Sequence, residues 1–250
     1  MITDPQGSVL AVFLVFCRIG SCFMTMPGFA SSRIPTQIRL LVAFAVSIAC
    51  TPLVWDTVYP KVSGGGSIFV ALIFTETLIG AVFGLITRFF TLGLQFAGAI
   101  LTMMIGFNST ATADVLEDGA ENQMTNMISF CGLMMLFMMD FHHVIFRALI
   151  DSYSVMPMGG VPDTQKMLIT LTDTASRTYM LMLRLSSPFI IYGLMFNLGV
   201  GLVNKLAPQI PVYYISTPYL ITGGMLLVYW SIGVMMRQFA DAFIPIFLGH

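Results

Sequence analysis

Long apolar runs alternate along this chain with short polar breaks, and the breaks mark out the elements. A spanning helix needs ~20 mostly apolar residues to cross ~30 Å of hydrocarbon, where an open chain satisfies its backbone only as a helix. The first run extends from about Ser8 to Met26 and stops at Pro27-Gly28. A second starts after Pro35, near Gln37, and ends around Trp55. Tyr59-Pro60 and the triple glycine Gly64–Gly66 then form a loop. From Ser67 to Ile105 the chain stays apolar over roughly 60 Å of helix, about twice a bilayer. That stretch is either a helical hairpin turning near Thr87-Arg88 or one long helix that leaves the membrane.

A polar segment follows, GFNSTATADVLEDGAENQ, with Asp114, Glu117, Asp118 and Glu121 behind a run of Ser, Thr and Ala. A Met-rich helix is expected from about Gln123 to Ser154, ending at the loop MPMGGVPD. Another long helix covers roughly Thr164 to Lys205, with Pro188 as a kink. The last helices occupy about Val212 to Phe247, interrupted near Gly223-Gly224.

Composition turns this pattern into a class. Of 250 residues, 57% are hydrophobic and 9% charged, and the mean hydropathy is +0.88. A soluble domain is about a quarter charged. So few charges leave apolar area facing lipid or partner subunits, and the fold class is an all-α integral membrane protein. The net charge of −1 provides no basic footprint for nucleic acid. The opening residues MITDPQG hold an acid and no Lys or Arg, the reverse of a signal n-region.

Lys and Arg are scattered almost singly, so the positive-inside bias sets no topology. Several charges fall within apolar runs: Arg18, Glu76, Arg88, Arg184 and Arg237. A charge at mid-bilayer costs about 2.5–3.5 kcal/mol on insertion scales, so such groups face protein or water. Arg237 reads as a residue snorkelling from a helix end. Arg18, Glu76, Arg88 and Arg184 are candidates for intramembrane or assembly contacts. Gly80 and Gly84 form a small-xxx-small packing pattern, joined by Gly93, Gly98, Gly193, Gly199 and Gly201. The twenty methionines, Met134, Met135, Met138 and Met139 among them, supply flexible, polarizable surface.

Catalytic and metal signatures do not emerge. His142 and His143 are adjacent and so point about 100° apart on a helix. Zinc ligands on a helix favour i, i+4 spacing, so no metal site is expected. Cys17, Cys22, Cys50 and Cys131 lie in apolar stretches without CxxC spacing and read as small buried hydrophobes. Neither GxSxG, Walker A nor a dinucleotide fingerprint occurs. No enzymatic activity and no cofactor is expected.

Three blocks resemble the FliR family of the type III secretion export gate. FNLGVGLVNKLAPQIPVYYISTP, Phe196–Pro218, is similar to its Gly-Leu…Ala-Pro-Gln…Pro block. The stretch Phe16–Val54 resembles its opening pattern: an Arg in the first helix, a Pro near its end, then Ile-Pro and Arg starting the second. DFHHVIFRALIDSYSVMPMG, Asp140–Gly159, resembles Asn-Gly-His-His, a Ser-aromatic pair and Pro-x-Gly, with Asp140-Phe141 in place of Asn-Gly. The blocks lie in order and span nearly the whole chain.

The resemblance implies a single-copy, non-enzymatic subunit of a gate conducting unfolded flagellar proteins across the bacterial inner membrane. Its partners would be FliP-like, FliQ-like and FlhB-like subunits, with membrane lipid and no nucleic acid. Its long kinked helical hairpins would pack into a right-handed pseudo-helical assembly at the base of the basal body, partly on the periplasmic side. Residues 1–160 would be FliP-like and include the pore loop 106–123, and residues 161–250 would form a FliQ-like hairpin. The family also implies a pore plug, here Gly106, Phe107, Asn108, Ser109, Thr110, Ala111, Thr112 and Ala113; Met103 and Met104 beside it read as a soft gasket, since methionine re-packs readily. Met103 or Met104 stands where the family often has Gln, and Asp114-Val115 where it often has Asp-Pro.

Small residues suit a loop that moves, and Phe107 is its one aromatic. The acids would sit in water at a pore mouth or cap the following helix near its positive end. Two other readings compete: an injectisome homologue using the same blocks, and an ion-coupled transporter suggested by Glu76, Arg88 and Arg184. A transporter would show a broken-helix pair in each repeat, and no internal repeat is visible.

Overall fold

The computed structural model describes residues 5–29, 34–62, 66–107, 123–159 and 164–248. The plug residues Asn108, Ser109, Thr110, Ala111, Thr112 and Ala113, and the four acids that follow, lie outside the described residues. Every regular element described is a helix: α1 (Pro5–Thr25), α2 (Thr36–Val58), α3 (Gly66–Met104), α4 (Gln123–Met138), α5 (Phe141–Val155), α6 (Thr164–Leu206), α7 (Val212–Asp241) and α8 (Phe243–Leu248), with one 3-10 turn at Tyr59–Lys61. Among the described residues, five helices are long and apolar enough to cross a membrane, or six if α4 and α5 count as one broken span. The chain is an all-α integral membrane protein.

The run before the polar segment is one helix. α3 continues through Thr87-Arg88 for 39 residues, with no turn there. One buried stripe explains why: Leu72, Glu76, Ile79, Ile86, Phe90, Leu94, Ala97 and Leu101 recur at helical spacing along it, with Ile105 of the following turn continuing the phase, so a single helical phase serves its whole length. α6 is likewise continuous over 43 residues with Pro188 inside it.

Two expected boundaries are corrected. The helix expected over Gln123–Ser154 breaks at Asp140, which adopts a left-handed backbone conformation, φ 56° and ψ 31°. The Met139 N–H closes α4 on the carbonyls of Met135 and Leu136, both at 3.1 Å, and the Asp140 carbonyl opens α5 by accepting from His143 at 2.9 Å. Among residues other than glycine, Asn and Asp tolerate this conformation best. The bend is therefore carried by Asp140, the residue standing where the family block has Asn. Conversely, α7 runs unbroken through Gly223-Gly224. Those glycines admit neighbours: a Cβ on Gly223 would land on the Tyr192 hydroxyl, and one on Gly224 would lie 2.5 Å from Ile105. Close packing there offsets the ~1 kcal/mol that glycine costs inside a helix.

The chain divides into two compact units, Met1–Phe89 with Asp140–Ala175, and Phe90–Met139 with Ser176–His250. In the first, the core is built on α1, whose Ala11, Leu14, Val15, Ile19 and Phe23 pack with Ala43, Val54 and Val58 of α2, Leu72 of α3 and Tyr153 of α5. Phe23 stacks on Phe146 at 5.5 Å and meets Phe29 edge-on at 5.0 Å. In the second unit, Phe90 stacks on Phe239 at 4.5 Å and meets Phe243 edge-on at 5.3 Å. The outer helix faces remain apolar: Leu41, Phe74, Leu198 and Trp230 are all exposed, as a chain solvated by lipid or neighbouring subunits requires.

Candidate functional site

Arg18 falls in phase with the apolar stripe of α1, between Leu14-Val15 and Cys22-Phe23, and is fully buried. A lone guanidinium there would be prohibitive, so its surroundings supply partners. Its Nε donates to Glu76 Oε2 at 2.6 Å and its Nη2 to Oε1 at 2.9 Å, a two-pronged grip across α1 and α3. Nη1 donates to Ser152 Oγ at 2.9 Å and Nη2 also to the Met156 carbonyl at 3.3 Å. The guanidinium carbon lies 3.8 Å from the centroid of the Tyr153 ring, a cation–π contact. Ser152 in turn donates to the Leu149 carbonyl at 2.6 Å. Three helices and the turn after α5 converge on one side chain.

The glycine pair shows how Glu76 reaches it. Glu76, Gly80 and Gly84 are spaced by four and share one face of α3. A Cβ on Gly80 would land on the Arg18 carbonyl and the Ser21 hydroxyl, and one on Gly84 on the Thr25 hydroxyl. The small-xxx-small pattern draws α3 against α1 at Arg18, Ser21 and Thr25, and Glu76 enters one turn before the contact. Packing and ion pair are one feature.

Of the four charged candidates, the structure unites Arg18 and Glu76. The side chains of Arg88 on α3 and Arg184 on α6 are exposed on this chain, as is Arg237. Ser152, Tyr153 and the Met156 carbonyl were missed as partners, although the Ser-aromatic pair and the loop that follows carried them. The signal was Arg18 itself: a cation in phase with a buried stripe implies acceptors on other segments.

The second feature is the stem of the polar segment, within the other compact unit. Gly106 has φ 76°, the left-handed conformation that ends α3, and its N–H bonds to the Met103 carbonyl at 3.2 Å. The preceding residues are held by glycines of other helices. A Cβ on Gly193 of α6 would lie 2.9 Å from the Met104 carbonyl, and one on Gly224 of α7 would press into Ile105. Gly106 faces Leu220 of α7, 3.0 Å from an added Cβ, and the Leu220 carbonyl accepts from the Tyr192 hydroxyl at 2.8 Å. The segment therefore departs from a fixed base wedged against α6 and α7. Met104 and Phe107 are partly buried, and Met103 is exposed.

The sequence model of the bacterial export proteins, family 1, matches residues 9–245. The chain is similar to the flagellar biosynthetic protein FliR of Caulobacter vibrioides, 29% identical over 94% of this chain and 93% of that one. It is 24% identical to the FliR of Escherichia coli over 86% of this chain and 81% of the relative. For the FliR of Bacillus subtilis the identity is 22% over 93% and 90%. These names favour the flagellar reading over an injectisome homologue or a stand-alone transporter.

Proposed function

The chain belongs to the bacterial export proteins, family 1, and on that premise we propose that it is a core subunit of the flagellar type III export gate. The match along nearly the full chain carries this reading. In it, the chain forms part of the channel through which unfolded flagellar proteins cross the inner membrane, at the base of the basal body and partly on its periplasmic side. FliP-like, FliQ-like and FlhB-like subunits would cover its exposed apolar faces, with residues 1–160 as a FliP-like part and residues 161–250 as a FliQ-like hairpin.

The segment starting at Gly106 is the plug in this reading, with Met103 and Met104 as its gasket. Two observations support that role. Its base is immobilised by close contacts to α6 and α7, and the residues after Phe107 are small and polar. A plug needs both a fixed attachment and a compliant body. Arg18 and Glu76 hold the helices that carry the structure, while Arg88 and Arg184 stand on exposed positions that neighbouring subunits or water would meet in the assembly.

The test is co-purification. A tagged copy of this chain expressed with its FliP-, FliQ- and FlhB-like neighbours should leave the membrane in one complex of defined stoichiometry, and deleting its gene should abolish flagellar protein export. Recovery as a solitary monomer that transports a small solute in vesicles would overturn the proposal.

A further inference from the structure

Outside both features described above, one cluster of ligating side chains stands together among the described residues. Asp140, His142 and His143 bring a carboxylate oxygen and two imidazole nitrogens within 4.8 Å of one another. Asp140 Oδ1 lies 3.5 Å from His143 Nδ1 and 3.9 Å from His142 Nε2. The helical spacing of the two histidines alone argues against a shared ligand, since adjacent side chains diverge. The break at Asp140 changes that geometry. The third ligand comes from the left-handed residue before α5, and the two rings approach to 4.3 Å between centroids.

The two Asp140 separations are close to those within a cation's coordination sphere. Bonds of ~2.05 Å at a tetrahedral angle place ligand atoms about 3.3 Å apart. The two Asp140 separations, 3.5 and 3.9 Å, lie near that value. The carboxylate is also uncommitted to the helix end: Asp140 occupies the N-cap position of α5 yet makes no side-chain capping hydrogen bond, the role that residue type usually takes there. Asp140 and His143 are largely exposed and His142 is partly buried, leaving room for water to complete the sphere.

We propose that Asp140, His142 and His143 form a three-ligand site for a divalent cation of the zinc class. Imidazole nitrogen with one carboxylate selects this class over magnesium or calcium, which prefer all-oxygen shells. Binding ties the residue at the break to the first turn of α5, so the cation stiffens the start of that helix. The site is independent of the export reading: either stands if the other fails.

The experiment titrates Co2+ into the full-length chain, purified in detergent without a histidine tag and stripped with chelator. One equivalent should bind with visible d–d absorption and be displaced by Zn2+. Asp140→Asn, which keeps a residue tolerant of the left-handed backbone, and His142→Gln and His143→Gln should each weaken binding by about tenfold or more, since losing even an outer-shell partner costs about 10–100-fold. His250→Gln should leave it unchanged. On the unmodified chain, Zn2+ should slow carbethoxylation of His142 and His143 but not of His250, a readout needing no variant. The proposal is overturned if the unmodified chain shows no saturable binding, if a variant combining Asp140→Asn, His142→Gln and His143→Gln still binds, or if Asp140→Asn alone has no effect.

Discussion

Arg18 and Glu76 are 58 positions apart and meet in the interior of one compact unit through two hydrogen bonds of 2.6 and 2.9 Å. Both side chains are at most 1% exposed. The guanidinium also reaches Ser152 and Met156, so four donations from Arg18 join α1, α3, α5 and the turn after it. Removing either partner strands the other charge. Arg18→Ala or Glu76→Ala should each cost about 3–5 kcal/mol, read as a large drop in the thermal midpoint of the detergent-solubilised chain. The double change Arg18→Met with Glu76→Leu should recover most of the loss. Arg18→Lys should not, because a single ammonium cannot make the fork. Full stability in either alanine variant would show that the pair is not what holds these helices.

The two glycines beside the pair predict a positional contrast. Gly80→Ala and Gly84→Ala drive a methyl into α1 and should cost about 1–3 kcal/mol each by overpacking. Gly199→Ala and Gly233→Ala meet nothing within 4 Å. On the isolated chain they should be neutral, or stabilise by roughly 0.5–1 kcal/mol through helix propensity. Equal effects at all four positions in thermal unfolding would refute the close α1–α3 approach.

Gly106 closes α3 at φ 76°, and Gly106→Ala asks an L-residue to adopt that conformation at roughly 1–2 kcal/mol. The added methyl also meets Leu220. The expected outcome is a displaced stem with assembly intact, seen as increased ion leak across membranes carrying the complex. Gly106→Asn should be milder, and Leu220→Ala should partly relieve Gly106→Ala. No relief would place the defect elsewhere.

Deleting residues 108–113 tests the plug itself. Membrane leak to small ions or solutes should rise while the subunit still co-purifies with its complex. A normal leak from a normally assembled complex would remove the plug role from this segment, leaving the family assignment untouched.

Much of the fold was legible because helices are local objects. The apolar runs placed α1, α2 and α6 to within a few residues, and the wedge of Gly80 and Gly84 was visible as a spacing. The glycines 223 and 224 misled for a related reason. Glycine weakens a helix on local grounds, yet Tyr192 and Ile105 occupy the space it frees, and that gain depends on another part of the chain. The break at Asp140 ran the other way. A left-handed residue stood in an apolar run with no proline or glycine to mark it, and the Asn-Gly of the family block was the sole hint.

By itself the sequence determined the membrane class, the order and approximate extent of the helices, and, through its three blocks, the family. Spacing along a helix and apolar run length are set by neighbours a few residues away. Tertiary structure decided which of four intramembrane charges are buried against each other, which glycines receive neighbours, and where the stem at Gly106 is anchored. Those outcomes depend on contacts between segments as distant as Arg18 and Ser152, 134 positions apart. A buried charge announces that it needs a partner, and only the packing of α1 against α3 and α5 identifies that partner.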